Sequence, residues 1–307
     1  MGFKVLITDP IAKEGVNLLR DAGFQVDERP DLKGEKLVAE IHEYDALIVR
    51  SATKVTREVI EAASRLKVIG RAGVGLDNID LVAAKEHGIE VINTPGATAI
   101  SVAELALGLM LACARRIPQA DRSVHAGRWE KKLFKGIELY GKTLGIIGIG
   151  KIGTELARRA AALGMKVIAY DPFVKSHEIA EMVDFDELLS RADVISLHLP
   201  LTDETRNMLS ENEFAKMKDG VILVNAARGG IVDEDALAKA LESGKVRCAA
   251  LDVYAQEPID PDSPLLKFEN IVLTPHIGAQ TLEGQRRAGI EIAQKIRNFL
   301  IEKGENA

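Results

Sequence analysis

Only two of the 307 residues are cysteine, Cys113 and Cys248, and both lie inside apolar stretches. This scarcity excludes a disulfide framework and a cysteine-based zinc site, so no metal is expected and a reducing cytoplasm suits the chain. Long apolar runs are missing too: the longest, "AELALGLMLACA" over 103–114, is interrupted and too short to span a bilayer. The start, "MGFKVLITDP", lacks the basic segment and apolar core of a signal peptide. No membrane partner is therefore expected, and the localisation expected is cytoplasmic. Nor is there a basic run. Lys and Arg total 40 against 46 Asp and Glu, a formal net charge of −6, which argues against nucleic acid as a partner. Low-complexity segments and short-period repeats are likewise absent.

What remains is 47% hydrophobic, ample for packed cores, in a chain long enough for two domains of roughly 100 to 200 residues each. Short β-branched runs alternate with helical patterns from the first residues: "KVLIT" (4–8), "ALIVR" (46–50), "LKVIG" (66–70) and "IEVIN" (89–93). A second series follows in "TLGIIG" (143–148), "KVIAY" (166–170), "DVISLHL" (193–199), "VILVN" (221–225), "RCAALDV" (247–253) and "NIVLT" (270–274). Such alternation predicts an α/β fold with two doubly wound parallel sheets. Between the series lies a long helical stretch beginning near Ser101, where Ser101 and Glu104 have capping-box spacing, and this is the expected domain hinge. The chain closes with a helix expected over about 281–302, with Ile292, Ile296, Phe299 and Leu300 on one face.

"TLGIIGIGKIGTELARRAAALGMKVIAYDP" carries Gly148-x-Gly150-x-x-Gly153 at the junction of a strand and a helix, then a second strand ending in Asp171. Gly148 permits a tight turn, Gly150 lets the backbone approach a pyrophosphate, and Gly153 lets helix and strand pack closely. Asp171, 18 residues beyond Gly153, can accept hydrogen bonds from ribose hydroxyls and would repel the extra phosphate of NADP. NAD is the expected cofactor.

Ligands of an open parallel sheet lie beyond the carboxyl ends of its strands. Arg228, Glu257 and His276 stand just past three such ends. A guanidinium holds a carboxylate and polarises a carbonyl, an imidazole exchanges a proton near neutral pH, and a carboxylate steadies the imidazolium. Together they suit hydride transfer. Singly, each reads equally well as a loop salt bridge, a solvated acid and a histidine at the rim of a core. His198, which also ends a strand, is a rival imidazole that spacing does not exclude. "VRSATKVT" and "GRAGVG" place Arg50, Ser51, Lys54 and Arg71 just past two earlier strands, a cluster suited to a phosphate near a Val74-Gly75 carboxylate site. The plain alternative is solvated loop charge.

In order along the chain, "RSATKVT", "GRAGVGLDNIDL", "GKTLGIIGIGKIG", "VNAARGGIVDEDAL", "ALDVYAQEP" and "TPHIGAQT" resemble the D-isomer-specific 2-hydroxyacid dehydrogenase family over nearly the whole length. The resemblance implies a Rossmann cofactor domain, 98–280, inserted into a flavodoxin-like, discontinuous substrate-binding domain, 1–97 with 281–307, and a homodimer. It makes Arg228 the clamp on the substrate carboxylate and carbonyl, His276 the acid/base and Glu257 its partner, with His198 merely near the cofactor. Around NAD it places Gly148, Gly150, Lys151, Ile152, Gly153, Asp171, His198, Pro200, Thr205, Ala226, Arg228, Asp252, His276 and Gly278, with Asp252 on the nicotinamide amide. Around the substrate it places Arg50, Ser51, Arg71, Val74, Gly75, Arg228 and His276, with the 73–75 backbone on the carboxylate. It also points to oxidation of 3-phospho-D-glycerate, a small-molecule substrate, with a glyoxylate or hydroxypyruvate reductase as the enzymatic alternative and a dinucleotide-sensing corepressor as the binding alternative. There are departures: Gln280 stands where many members carry serine, and Lys131 and Lys132 occupy a region where some use arginine toward a neighbouring subunit. The chain stops at Ala307, so feedback through a further regulatory domain is not expected.

Overall fold

Strands covered by helices on both faces read as unbroken apolar runs rather than alternating ones, and "ALIV" (46–49) and "VILVN" (221–225) are buried along their whole length. The computed structural model describes residues 2–305, which divide into two units: residues up to Ala99 with those from Ala279 onward, and Ile100–Gly278.

In the first unit β1 (Lys4–Ile7), α1 (Lys13–Asp21), β2 (Gln25–Glu28), α2 (Glu35–Glu40), β3 (Ala46–Val49), α3 (Arg57–Ala62), β4 (Val68–Arg71), α4 (Leu81–Glu86) and β5 (Glu90–Asn93) alternate. The strands are parallel in the order β2-β1-β3-β4-β5. The chain then runs through α5 (Ala99–Arg115), α6 (Ile117–His125), β6 (Thr143–Ile147), α7 (Lys151–Ala162), β7 (Lys166–Tyr170), β8 (Glu181–Met182), α8 (Phe185–Arg191), β9 (Val194–Leu197), α9 (Glu211–Lys216), β10 (Val221–Asn225), α10 (Glu234–Glu242), β11 (Val246–Leu251) and β12 (Ile271–Leu273). This second sheet, also all parallel, has the order β12-β11-β10-β9-β6-β7-β8. α11 (Leu282–Glu305) returns to the first unit.

Strand order reverses between β1 and β3 in the first sheet and between β6 and β9 in the second. At such points the following loops diverge to opposite faces and leave a crevice for ligands. Each sheet has a core on both faces. α1 and α11 cover one side of the first sheet through Val16, Leu19, Ile292, Ile296 and Leu300, all at most 2% exposed. α11 approaches β4 so closely that a Cβ on Gly70 would stand 2.8 Å from Ile292 and 3.0 Å from Ile296, which accounts for a glycine inside a strand.

Two edge strands and one helix start depart from the sequence-based expectation. β2 buries only Val26, so it lacks the apolar run by which the others are recognised, and β8 has two residues. α5 begins at Ala99, so Ser101 lies inside its first turn and cannot form the expected cap with Glu104. Glu104 instead pairs with Arg159 at 3.2 Å. Among the described residues no helix is long and apolar enough to cross a membrane.

The packing of α11 yields a stability prediction. Ile296 is fully buried, so Ile296→Ala is expected to lower the unfolding free energy by about 2–5 kcal/mol in denaturant titrations; a loss below about 0.5 kcal/mol, typical of surface changes, would refute the docking.

Candidate active site

The first reversal-point loop of the second unit follows β6. A Cβ on Gly148, at φ +93, would meet His198 O at 2.7 Å, and one on Gly153 would meet Gly148 O at 2.3 Å, so packing within the protein demands both glycines. Gly150 differs: a Cβ there would meet nothing within 4 Å. The open space in front of the second glycine, at the N-terminus of the twelve-residue α7, is what a bound pyrophosphate requires. Lys151 and Ile152 open the helix. Asp171, just past β7, accepts from Ile149 N–H at 3.1 Å and from Phe173 N–H at 2.9 Å, and a carboxylate so held retains lone pairs for a ribose. Across the reversal point, past β9, Thr205 Oγ1 donates to Pro200 O at 2.7 Å and fixes that loop. His198 Nε2 lies 2.9 Å from Ser196 Oγ, while its buried Nδ1 has no partner among the described residues. Although part of the residue stays accessible, burial pushes this imidazole down to about 4. The ring is neutral at pH 7, with one nitrogen available to a ligand. This cradle fits a dinucleotide.

Arg228, Glu257 and His276 follow β10, β11 and β12, three neighbours in the sheet. Asn225, buried at the end of β10 and followed by buried Ala226, accepts from Ala227 N–H at 3.0 Å and donates to Arg228 O at 2.9 Å, shaping the arginine loop. A Cβ on Gly229 would stand 1.6 Å from Tyr254 O, so only glycine lets this loop lie against the one carrying Glu257. Glu257 Oε1 accepts from Tyr254 N–H at 3.2 Å, and Oε2 lies 2.7 Å from His276 Nδ1. With Glu257 ionised, Nδ1 carries the hydrogen and Nε2 is the atom left to exchange a proton.

His276 has φ +52, the left-handed region that non-glycine residues seldom adopt. Asp252, 1% exposed past β11, holds it there: Oδ1 accepts from Thr274 Oγ1 at 2.6 Å and Ile277 N–H at 2.8 Å, and Oδ2 from Gly278 N–H at 2.8 Å. The acid expected to face a nicotinamide amide thus has both oxygens engaged by the histidine turn. Tyr254 Oη donates to Thr274 O at 2.8 Å, and burial, then the charge of Asp252, pushes this phenol up to about 12, keeping it a donor.

In the first unit the loops after β1 and β3 are joined by Asp9, 4% exposed. Its Oδ2 accepts from Arg50 N–H at 2.7 Å and Thr53 N–H at 3.0 Å, and Oδ1 from Thr53 Oγ1 at 2.9 Å and from Lys33. Burial alone would raise this carboxyl, but Lys33, the Arg50 N–H and Thr53 outweigh it and hold it below the usual carboxylate range. Asn78 donates to Arg50 O at 2.8 Å and Thr53 O at 2.7 Å. Arg50 and exposed Ser51 therefore ride a pinned loop. Arg71, opposite Val49 in the ladder, folds its guanidinium over Gly73, where a Cβ would strike Nη1 at 1.4 Å, beside Val74, whose carbonyl accepts from Asn93 at 2.6 Å, and Gly75. Lys54 borders a cleft of about 550 Å³ with Lys33, Ala52 and Thr56, a lining that does not include Arg50, Ser51 or Arg71. Sequence reasoning missed Asp9, Asn78, Asn225, Gly229 and Tyr254. A polar residue at the end of an apolar strand, as in "LITD" and "VILVN", was the available signal for two of them.

Residues 107–278 match the model of the D-isomer specific 2-hydroxyacid dehydrogenase NAD binding domain. The chain is 56% identical over 302 residues to D-3-phosphoglycerate dehydrogenase of Archaeoglobus fulgidus, covering 97% of this chain and 57% of that protein. It is 54% identical over 297 residues to hydroxypyruvate reductase of Thermotoga maritima, covering 96% and 97% respectively. A solved NAD-dependent formate dehydrogenase of Staphylococcus aureus in complex with NAD superposes with a TM-score of 0.84 at 34% identity, covering 97% of this chain and 95% of that one. The chain spans little more than half the length of the archaeal phosphoglycerate dehydrogenases it matches. With the family model covering more than half of it, the chain belongs to the D-isomer specific 2-hydroxyacid dehydrogenase family.

Proposed function

We propose that the protein is an NAD-dependent dehydrogenase oxidising 3-phospho-D-glycerate to 3-phosphohydroxypyruvate, a step of serine biosynthesis. The observation that carries the reading is the His276–Glu257 pair, 2.7 Å apart, on strand ends beside that of Arg228 in a sheet whose glycine loop fits a dinucleotide. Bound NAD supplies the hydride acceptor. Arg228 holds the substrate carboxylate bidentately and polarises the C2 oxygen. On oxidation His276 Nε2 takes the C2 hydroxyl proton while Glu257 stabilises the imidazolium, and on reduction the same atom returns it. His198, kept neutral by burial, has no carboxylate in its hydrogen bonds and serves the cofactor side with Pro200, Thr205 and Ala226. Backbone N–H groups at Val74 and Gly75 receive the carboxylate, and Arg50, Ser51 and Arg71 the phosphate. We assign the cofactor domain to 98–280, the substrate domain to 1–97 with 281–307, and a cytoplasmic homodimer as the working form. A hydroxypyruvate reductase is the second reading, favoured because the match to that relative runs over 97% of its length. It would use the same His276, Glu257 and Arg228.

Three measurements test these assignments. A carboxylate facing the ribose of NADP would set like charges together, so kcat/KM for NAD should exceed that for NADP by on the order of 100-fold, and Asp171→Gly should narrow the gap; equal values in the wild type would remove Asp171 from the cofactor site. His276→Asn is expected to cut turnover by about 100- to 10,000-fold while NADH binding, read by fluorescence, stays near wild type. Activity within a factor of two would hand the proton to His198. Arg50→Ala should lower kcat/KM for 3-phosphoglycerate by about 10- to 100-fold and leave an unphosphorylated analogue little affected. A wild-type preference for glycerate or hydroxypyruvate over the phosphorylated acids would replace the first reading with the second.

A further inference from the structure

Cys113, near the C-terminal end of α5, and Cys248, in β11, take no part in the chemistry above, yet their sulfurs lie 2.7 Å apart across 135 residues of sequence. Non-bonded heavy atoms ordinarily sit about 3.5–4.0 Å apart and a disulfide is about 2.05 Å long, so closing the bond needs less than about 1 Å of movement. Both cysteines are free and buried, at 2% and 5% exposure. Both also line one cleft of about 240 Å³, bordered by Arg116, Lys135, Arg247, Gln119 and Asn270. Arg247 and Asn270 stand at the amino ends of β11 and β12, whereas Asp252 and His276 stand past their carboxyl ends. The pair therefore lies at the opposite edge of the sheet from the candidate catalytic loops.

We propose that Cys113 and Cys248 form a peroxide-responsive dithiol, a modification site that closes to an intramolecular disulfide. Cys248, the more exposed of the two residues, loses its proton and attacks the peroxide O–O bond, becoming a sulfenic acid while the peroxide leaves as an alcohol or water. Cys113 then attacks that sulfur, the S–O bond breaks, and hydroxide departs with the Cys113 proton as water. Two thiols lose two electrons and the peroxide gains them, so nothing else is required. The cleft is small, which favours a small hydroperoxide over a protein disulfide as oxidant. The hydrogen bond with Cys248 and burial push the Cys113 thiol up, which suits it to the resolving role.

The test is a titration of the reduced, purified chain with hydrogen peroxide, followed by denaturation, alkylation and intact-mass measurement. The mass should fall by about 2 Da as both thiols disappear together, with a non-reducing peptide map linking 113 to 248 and dithiothreitol restoring both. Closing a loop of this length should raise the thermal midpoint by on the order of 10 °C. Cys113→Ser should instead gain about 16 or 32 Da at Cys248 with no rise in midpoint. Two thiols surviving excess peroxide, oxygen addition in the wild type without the 2 Da loss, or disulfides only between chains would each overturn the proposal. Should the serine variant fail to fold, the wild-type mass and peptide map decide it alone.

Discussion

The candidate active site depends on one buried carboxylate. Asp252 accepts three hydrogen bonds from the turn around His276, from Thr274, Ile277 and Gly278, and that turn contains a histidine in the left-handed region. A non-glycine residue there costs about 1–2 kcal/mol, while hydrogen bonds to a charged group contribute about 1.5–3 kcal/mol each, so the turn is held with free energy to spare. The dependence is mutual. A carboxylate 1% exposed would be costly without those donors, and the donors would lack partners without it. Glu257 can then meet an imidazole whose place is already fixed.

The same device recurs at the other strand ends. Asp9, past β1, pins the Arg50–Thr53 loop that follows β3, across the point where the first sheet reverses. Asp171, past β7, accepts from Ile149 in the glycine loop that follows β6. In each case an acid beyond one strand ties down backbone N–H groups beyond its neighbour in the sheet. A parallel sheet delivers these loops to one edge, and the acids turn that edge from a set of loose connections into fixed positions. Pre-organisation of this kind is what lets positioned charge act on a reacting centre without reorganising first.

Much of this was legible in the sequence, and the remainder was hidden for definite reasons. Ten strands announced themselves as apolar runs because both sheets are covered on both faces; β2, with one buried side chain, and the two-residue β8 did not. Ser101 and Glu104 had the spacing of a cap, yet spacing cannot say where a helix starts, and α5 starts two residues earlier. The glycine loop could be read because its chemistry is local. The grip of Asp252 on the His276 turn spans 22 to 26 residues of sequence and exists only once β11 and β12 pair, so no local pattern records it.

His198 and His276 both follow apolar strands, and composition gives no ground for preferring either. Their surroundings separate them. His198 meets a serine hydroxyl at one nitrogen and burial at the other, with no carboxylate among its hydrogen-bond partners in the described residues, so the ring is pushed down to about 4 and stays neutral. His276 meets an anion at Nδ1 and is half exposed. Two identical side chains thus stand in different surroundings, set by what their second nitrogen touches. The loops after β11 and β12, rather than the histidines themselves, make that difference.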